Sequence, residues 1–290
     1  MFRLRADSIL HNLARASALV SAGILGLIVL FLIREALPAV YDIGVFAFLH
    51  DLSWHPLENQ FNLVPMIVAS LLVTAGALVL AAPLGIATAV FSSYYANHTI
   101  GAGLQRLIEL LAGIPSVIFG FWGLVSIVPI IAAWQAPGAS LLAAALVLAL
   151  MILPTIALMS HTAIKAVPES LIRAATALCL DRFAMLRHVV LPAAASGITT
   201  AVILAMGRAI GETMVVLMVA GNVVSLPDTV FAPVRTLTAN IALEMSYADQ
   251  HHRAALFFSG LLLMILVTAL AWLGSWFAGS RLATAGRQSI

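Results

Sequence analysis

An all-α integral membrane protein with six transmembrane helices is the fold class this sequence predicts, and three observations carry it. Hydrophobic residues make up 62% of the chain and charged residues 9%, where a soluble domain has about half and a quarter. Six apolar windows each reach the roughly 20 residues that a span requires. Lys and Arg are concentrated in the connections on one side, which orients the spans.

The first window runs from about 16 to 37. Arg3, Arg5 and Arg15 precede it in the manner of a signal peptide. Its apolar stretch, Ala16 to Ile33, is too long for a signal core and no small-residue cleavage site follows, so it reads as a retained anchor. An outer loop follows to residue 63, in which Tyr41, Trp54 and Phe61 are expected as interfacial anchors. Windows two to four cover about 64–91 (Pro65, Pro83), 105–131 (Pro115, Pro129) and 139–161 (Pro154). Prolines at membrane depth need neighbouring groups to satisfy freed carbonyls, so these segments are expected to face protein or a cavity. Glu109, near the inner end of the third, is expected to pair with Arg106. The fifth and sixth windows are about 194–224 and 254–278.

With the N-terminus inside, one face receives Arg3, Arg5, Arg15, Arg106, Lys165, Arg173, Arg182, Arg187, Arg281 and Arg287. The other receives Arg34, Arg235 and Arg253 together with most of the acids. Both termini are therefore expected in the cytoplasm. The chain divides into residues 1–63, a five-helix core over 64–278, and a cytoplasmic tail over 279–290. Asn97-His98-Thr99 fits a glycosylation pattern, but this topology places it inside.

The inner connection "AVPESLIRAATALCLDRFAMLRHVVLPA" reads as two short helices. Pro168 opens the first with Glu169 in its first turn, Asp181 caps the second, and Pro192 marks the exit into the fifth span. Leu171, Ala174, Ala175 and Leu178 share one face of the first, with Arg173 elsewhere. Such a helix can lie on the membrane surface or dock into a groove of a soluble partner.

"RAATALC" with a downstream "LP" resembles the coupling loop of ABC importer permeases. That loop usually reads Glu-Ala-Ala, three residues, Gly, and then Leu-Pro. Ala174, Ala175, Leu191 and Pro192 match it, while Arg173 and Cys179 replace the Glu and the Gly. "GRAIGETMVVLMVAGN" (207–222) and "PVRTLTANIALEM" (233–245) resemble the phosphate-uptake branch, of PstC type. The resemblance implies a type I importer permease architecture, with residues 166–192 as the lever to an ATPase. It implies four companions: a second related permease, a cytoplasmic ATP-binding subunit dimer, a periplasmic phosphate-binding protein, and phosphate as cargo. No GxxxxGK[ST] loop occurs in the chain. No cofactor is therefore expected on it, and ATP and Mg would be used by the partner. Nor is a catalytic or metal-binding constellation expected. Cys179 is the single cysteine, and the adjacent His251 and His252 cannot share one helical face.

Arg208 and Glu212 stand four residues apart inside the fifth window, far from either end. A charge at a helix centre costs about 2.5–3.5 kcal/mol, more than an i,i+4 pair returns. Gly207 and Gly211 beside them form a small-xxx-small step that lets another backbone approach. One reading is a buried pair that fixes helix register. The other is a substrate path comprising Arg208, Glu212 and Thr213, with Thr199, Thr200 and Asn222 as further candidates. An Arg fork can donate two parallel bonds to a phosphate. Glu212 would neutralise Arg208 in an empty channel, or accept the proton of hydrogenphosphate, which sulfate lacks. The sequence thus reads as a permease subunit importing inorganic phosphate. Another oxyanion (phosphonate, sulfate or molybdate), an autonomous anion carrier or channel, and an added sensory role are the alternatives.

Overall fold

The computed structural model describes residues 2–285, and the side chains of residues 10–276. Arg287 and the end of the 279–290 tail lie outside the described residues, as do the side chains of Arg3, Arg5 and Arg281.

Two compact units are present: the chain up to Asn62 with Glu244–Leu262, and Leu63–Leu243 with the chain from Leu263 onward. The first unit opens with α1 (Phe2–Pro38), which continues as a π-helical turn over Ala39–Ile43. None of the central apolar window of this helix is buried, as suits a span facing lipid all round. A short α2 (Ala47–His50) leads into a hairpin, β1 (Trp54–His55) paired antiparallel with β2 (Gln60–Phe61). Trp54 and Phe61 are not interfacial anchors. Both are buried, stacked edge to face at 5.7 Å, with Phe61 also on Phe48. The indole Nε1 of Trp54 donates to Glu244 Oε2 at 2.7 Å, and the same oxygen lies 2.8 Å from His252 Nε2. A buried carboxylate gains partners this way, and the aromatic loop becomes a packed cap. Tyr41 alone of the three stays exposed.

In the second unit α3 (Val64–Val90) extends through a π turn to Tyr95. It buries Met66, Ala69, Val73, Ala77, Ala81 and Ala89, a helical stripe of mainly small residues. Then come α4 (His98–Ala112), α5 (Ser116–Trp122) and α6 (Val128–Ala132). Asn97, set aside above as a sugar acceptor, caps α4 by accepting from Ile100 N at 2.8 Å. The third window is not one straight span: α4 and the following helix meet at 91°. Pro115 has no N–H to give and drives Ile114 out of the helical region, so the chain turns there. Arg106 and Glu109 make no ion pair among the described residues. With this bent pair as one, the spans number up to six.

α7 (Leu141–Lys165) is the most buried helix and packs against α3, α4 and the fifth window. A helix apolar on every face belongs at such a centre. Two short helices follow, α8 (Glu169–Ala177) and α9 (Arg182–Met185). Pro168 precedes α8, and Asp181 caps α9 by accepting from Ala184 N at 2.7 Å. Pro192, however, is no exit. α9 runs on through a π turn (Leu186–Val190) into α10 (Leu191–Ile210), one continuous helix. The π turns at 123–127 and 186–190 each end two residues before a proline, Pro129 and Pro192. An extra residue in the ladder accommodates the missing donor and the ring without a break.

The fifth window also ends early. α10 stops at Ile210, and a separate α11 (Met214–Val219) follows. The chain then turns through Gly221, at φ +87°, where a Cβ would lie 2.7 Å from Pro233 Cβ. Backbone bonds from Val234 N to Ala220 O (2.8 Å) and Asn222 N to Val234 O (3.1 Å) pin this crossing. α12 (Leu237–Glu244) and α13 (Gln250–Ala285) complete the chain.

Candidate functional site

The junction between α10 and α11 answers why an apolar run keeps an Arg and a Glu. Arg208 lies in the last turn of α10 and Glu212 just before α11. Cations are favoured at helix C-termini and carboxylates at N-termini, so a broken helix accepts both charges where an unbroken one would not. The expected i,i+4 ion pair is absent, because the two residues no longer share a helix. Arg208 is exposed and donates from Nη1 to Thr155 Oγ1 of α7, a long bond of 3.4 Å. Glu212 Oε1 accepts from Val215 N at 3.3 Å, capping α11, and its carbonyl accepts from Thr238 Oγ1 at 2.9 Å.

Gly207 and Gly211 do not serve a helix contact within this chain. A Cβ on Gly207 would meet nothing within 4 Å, and one on Gly211 only the carbonyls of its own turn. The glycine face beside Arg208 is open. Thr213 Oγ1 donates to Gly211 O at 3.4 Å, inside the junction itself. Thr199 and Thr200 bond back to Ala195 O (2.8 Å) and Ser196 O (2.9 Å), four residues earlier. Asn222 is left-handed, at φ +56°, and its Nδ2 donates to Leu217 O at 2.7 Å.

Residues outside the expected set build the wall of the junction. Ser70 on α3 donates to Met66 O and accepts from Leu237 N at 3.0 Å, which ties the start of α12 to α3. Thr236 exchanges a 3.1 Å bond with Thr238 and accepts from Ala239 N. Arg235 donates from Nε to Asn222 O and from Nη1 to Asn240 Oδ1. The cue to this wall was the polar "RTLTAN", too polar for the apolar depth its burial gives it.

In the inner connection Ala175 is buried, whereas Ala174 and Cys179 are exposed, with Leu171, Leu178 and Phe183 beside them. The four-residue face expected on α8 is thus buried at one position only. Arg173 pairs with Glu169 across one turn at 2.9 Å, on the surface. Cys179 adopts φ +52°, the left-handed region. Leu191 and Pro192 lie in the first turn of α10.

Residues 81–280 match the family described as binding-protein-dependent transport system inner membrane component. The probable ABC transporter permease protein YqgH of Bacillus subtilis is 42% identical over 212 residues, 72% of this chain and 69% of that one. The phosphate transport system permease protein PstC of Mesorhizobium japonicum is 32% identical over 282 residues, covering 90% and 86%. Among solved structures, a chain of a bacterial ABC transporter involved in import of the polysaccharide alginate superposes with a TM-score of 0.63. Its identity is 12%, over 92% of this chain and 96% of that one. A chain of the inward-facing MetNI methionine ABC transporter gives 0.58 at 19% identity, over 76% and 94%. On these likenesses the chain belongs to the binding-protein-dependent inner-membrane permeases of ABC importers, in their PstC-type branch.

Proposed function

We propose that this permease subunit imports inorganic phosphate and that Arg208 is the group in the path that meets it. The observation that carries the reading is an exposed guanidinium on an open glycine face, at a helix break, with one long bond to Thr155. Such a group costs too much against lipid to be idle packing, and its planar fork suits two oxygens of a phosphate. A single weakly engaged Arg also lets the anion leave, as conduction requires. Glu212 and Thr213 complete the path, with Glu212 accepting the proton of hydrogenphosphate rather than neutralising Arg208. Phosphate as cargo agrees with what the PstC relatives are named for.

The remaining machine is proposed with it. A second related permease covers the open face of Gly207 and Gly211. A cytoplasmic ATPase dimer docks on the exposed residues of 166–192, uses the ATP and Mg, and moves that segment as a lever. A periplasmic phosphate-binding protein delivers the cargo, and both termini lie in the cytoplasm. This chain binds no cofactor itself. The deciding experiment is phosphate uptake into vesicles carrying the full complex, wild type against Arg208→Gln, with ATP hydrolysis recorded alongside. Loss of a charge-assisted bond predicts uptake falling about ten- to a hundredfold with binding-protein-stimulated hydrolysis retained. Unchanged uptake would reduce Arg208 to a packing residue.

A further inference from the structure

A cleft of about 530 Å³ opens in the first unit, lined by Arg34, Glu35 and Pro38 of α1 and by Asp249, Gln250 and Arg253 at the start of α13. That volume is within the range of ordinary small-molecule sites, about 300–1,000 Å³. Its four charged side chains form no ion pair with one another among the described residues. Arg253 stands in the first turn of α13, the end where the helix dipole disfavours a cation. What it gains on its own helix is the Phe257 ring one turn on.

One turn along the same two helices from the cleft lies a pair of aromatic rings. Phe31 of α1 meets Phe257 of α13 edge to face, centroids 5.6 Å apart, and the Arg253 guanidinium carbon lies 5.5 Å above the Phe257 ring. Phe31 is half exposed. Arg34 follows it by about one turn, roughly 4.5 Å along the axis. Arg34 directly follows the apolar run of α1 and Arg253 directly precedes that of α13, so both guanidinium groups stand at the ends of spans, where long cationic side chains meet lipid headgroups.

We propose that this cleft binds the headgroup of a zwitterionic phospholipid carrying a phosphoryl group and a primary ammonium. The guanidinium groups of Arg34 and Arg253 take the phosphoryl oxygens by charge-assisted bonds. The carboxylates of Glu35 and Asp249 take the ammonium. The same carboxylates repel a purely anionic headgroup and free inorganic phosphate, so charge alone selects the zwitterion. The inference concerns the lipid contact of the first unit and stands independently of what the permease carries.

The test is to reconstitute the delipidated full chain into vesicles of equal phosphatidylethanolamine and phosphatidylglycerol, re-extract it gently, and count retained lipid by native mass spectrometry. Wild type is expected to keep phosphatidylethanolamine about tenfold over phosphatidylglycerol, a 1.4 kcal/mol preference. Arg34→Gln with Arg253→Gln loses both lipids. Glu35→Gln with Asp249→Asn still retains lipid but loses the preference, a result misfolding cannot produce. Equal retention of the two lipids by wild type would overturn the proposal, as would undiminished phosphatidylethanolamine on the double Arg variant. Displacement of the lipid by millimolar inorganic phosphate would overturn it too, by making the cleft a phosphate site.

Discussion

Thr155 is the side chain that holds Arg208 in place, and it does so with one long bond. Thr155→Val removes that acceptor while keeping the volume. A neutral bond is worth about 0.5–1.5 kcal/mol, so apparent phosphate affinity is expected to weaken roughly two- to tenfold, read as KM of uptake. Glu212→Gln replaces the carboxylate proposed to accept the hydrogenphosphate proton with a neutral amide that can also donate to a fully ionised oxyanion. Sulfate should then compete with phosphate uptake where it does not in wild type, and unchanged exclusion of sulfate sinks that role. Cys179 holds a left-handed φ of +52°, which costs an L residue about 1–2 kcal/mol and glycine nothing. Cys179→Gly should therefore raise the Tm of the purified complex. The charged pair and its glycines stood out from spacing alone. The break between them was not, because "GRAIGETMVV" contains no proline and is compatible with a helix throughout. Partners distant in sequence impose it: Thr238 takes the Glu212 carbonyl that a continuing helix would have used.

α3 and α7 pack through small side chains, and that closeness sets the rest of the second unit. Ala77 has no exposed surface in α3. Ala77→Leu should destabilise by about 1–3 kcal/mol, seen as a lower Tm with no change in cargo preference. Gly120 shows the same tightness between α5 and α11, where a Cβ would lie 3.1 Å from the Val215 backbone. In the first unit the hairpin is tied through Trp54 to the buried carboxylate of Glu244. Trp54→Phe withdraws the indole donor from Glu244, at a cost of about 1–3 kcal/mol. The long apolar helices were readable because composition and length suffice for a span. The right-angled bend at Pro115 was readable only as a kink, since a proline marks where a helix stops and not where the next one points. Burial of Trp54 and Phe61 was hidden for another reason. An aromatic side chain serves equally at a lipid interface and under a packed loop, and only its contacts decide.

The whole assembly can be oriented through a single atom. Cys179 is the only cysteine in the chain and is exposed. A membrane-impermeant maleimide should label it in inside-out vesicles and fail to do so in right-side-out ones, as the proposed topology requires. Bound ATPase should protect it. The continuous helix from Arg182 to Ile210 then joins this exposed segment to Arg208. Within it the π turn at Leu186–Val190 is one residue wider than an α turn. Each residue of an α-helix advances the azimuth by about 100°. The compass bearing of the Arg208 guanidinium is accordingly set at that turn, about twenty residues and roughly 30 Å upstream. Deleting one residue there would swing the charge a quarter-circle or more off the proposed path without touching the residues around it.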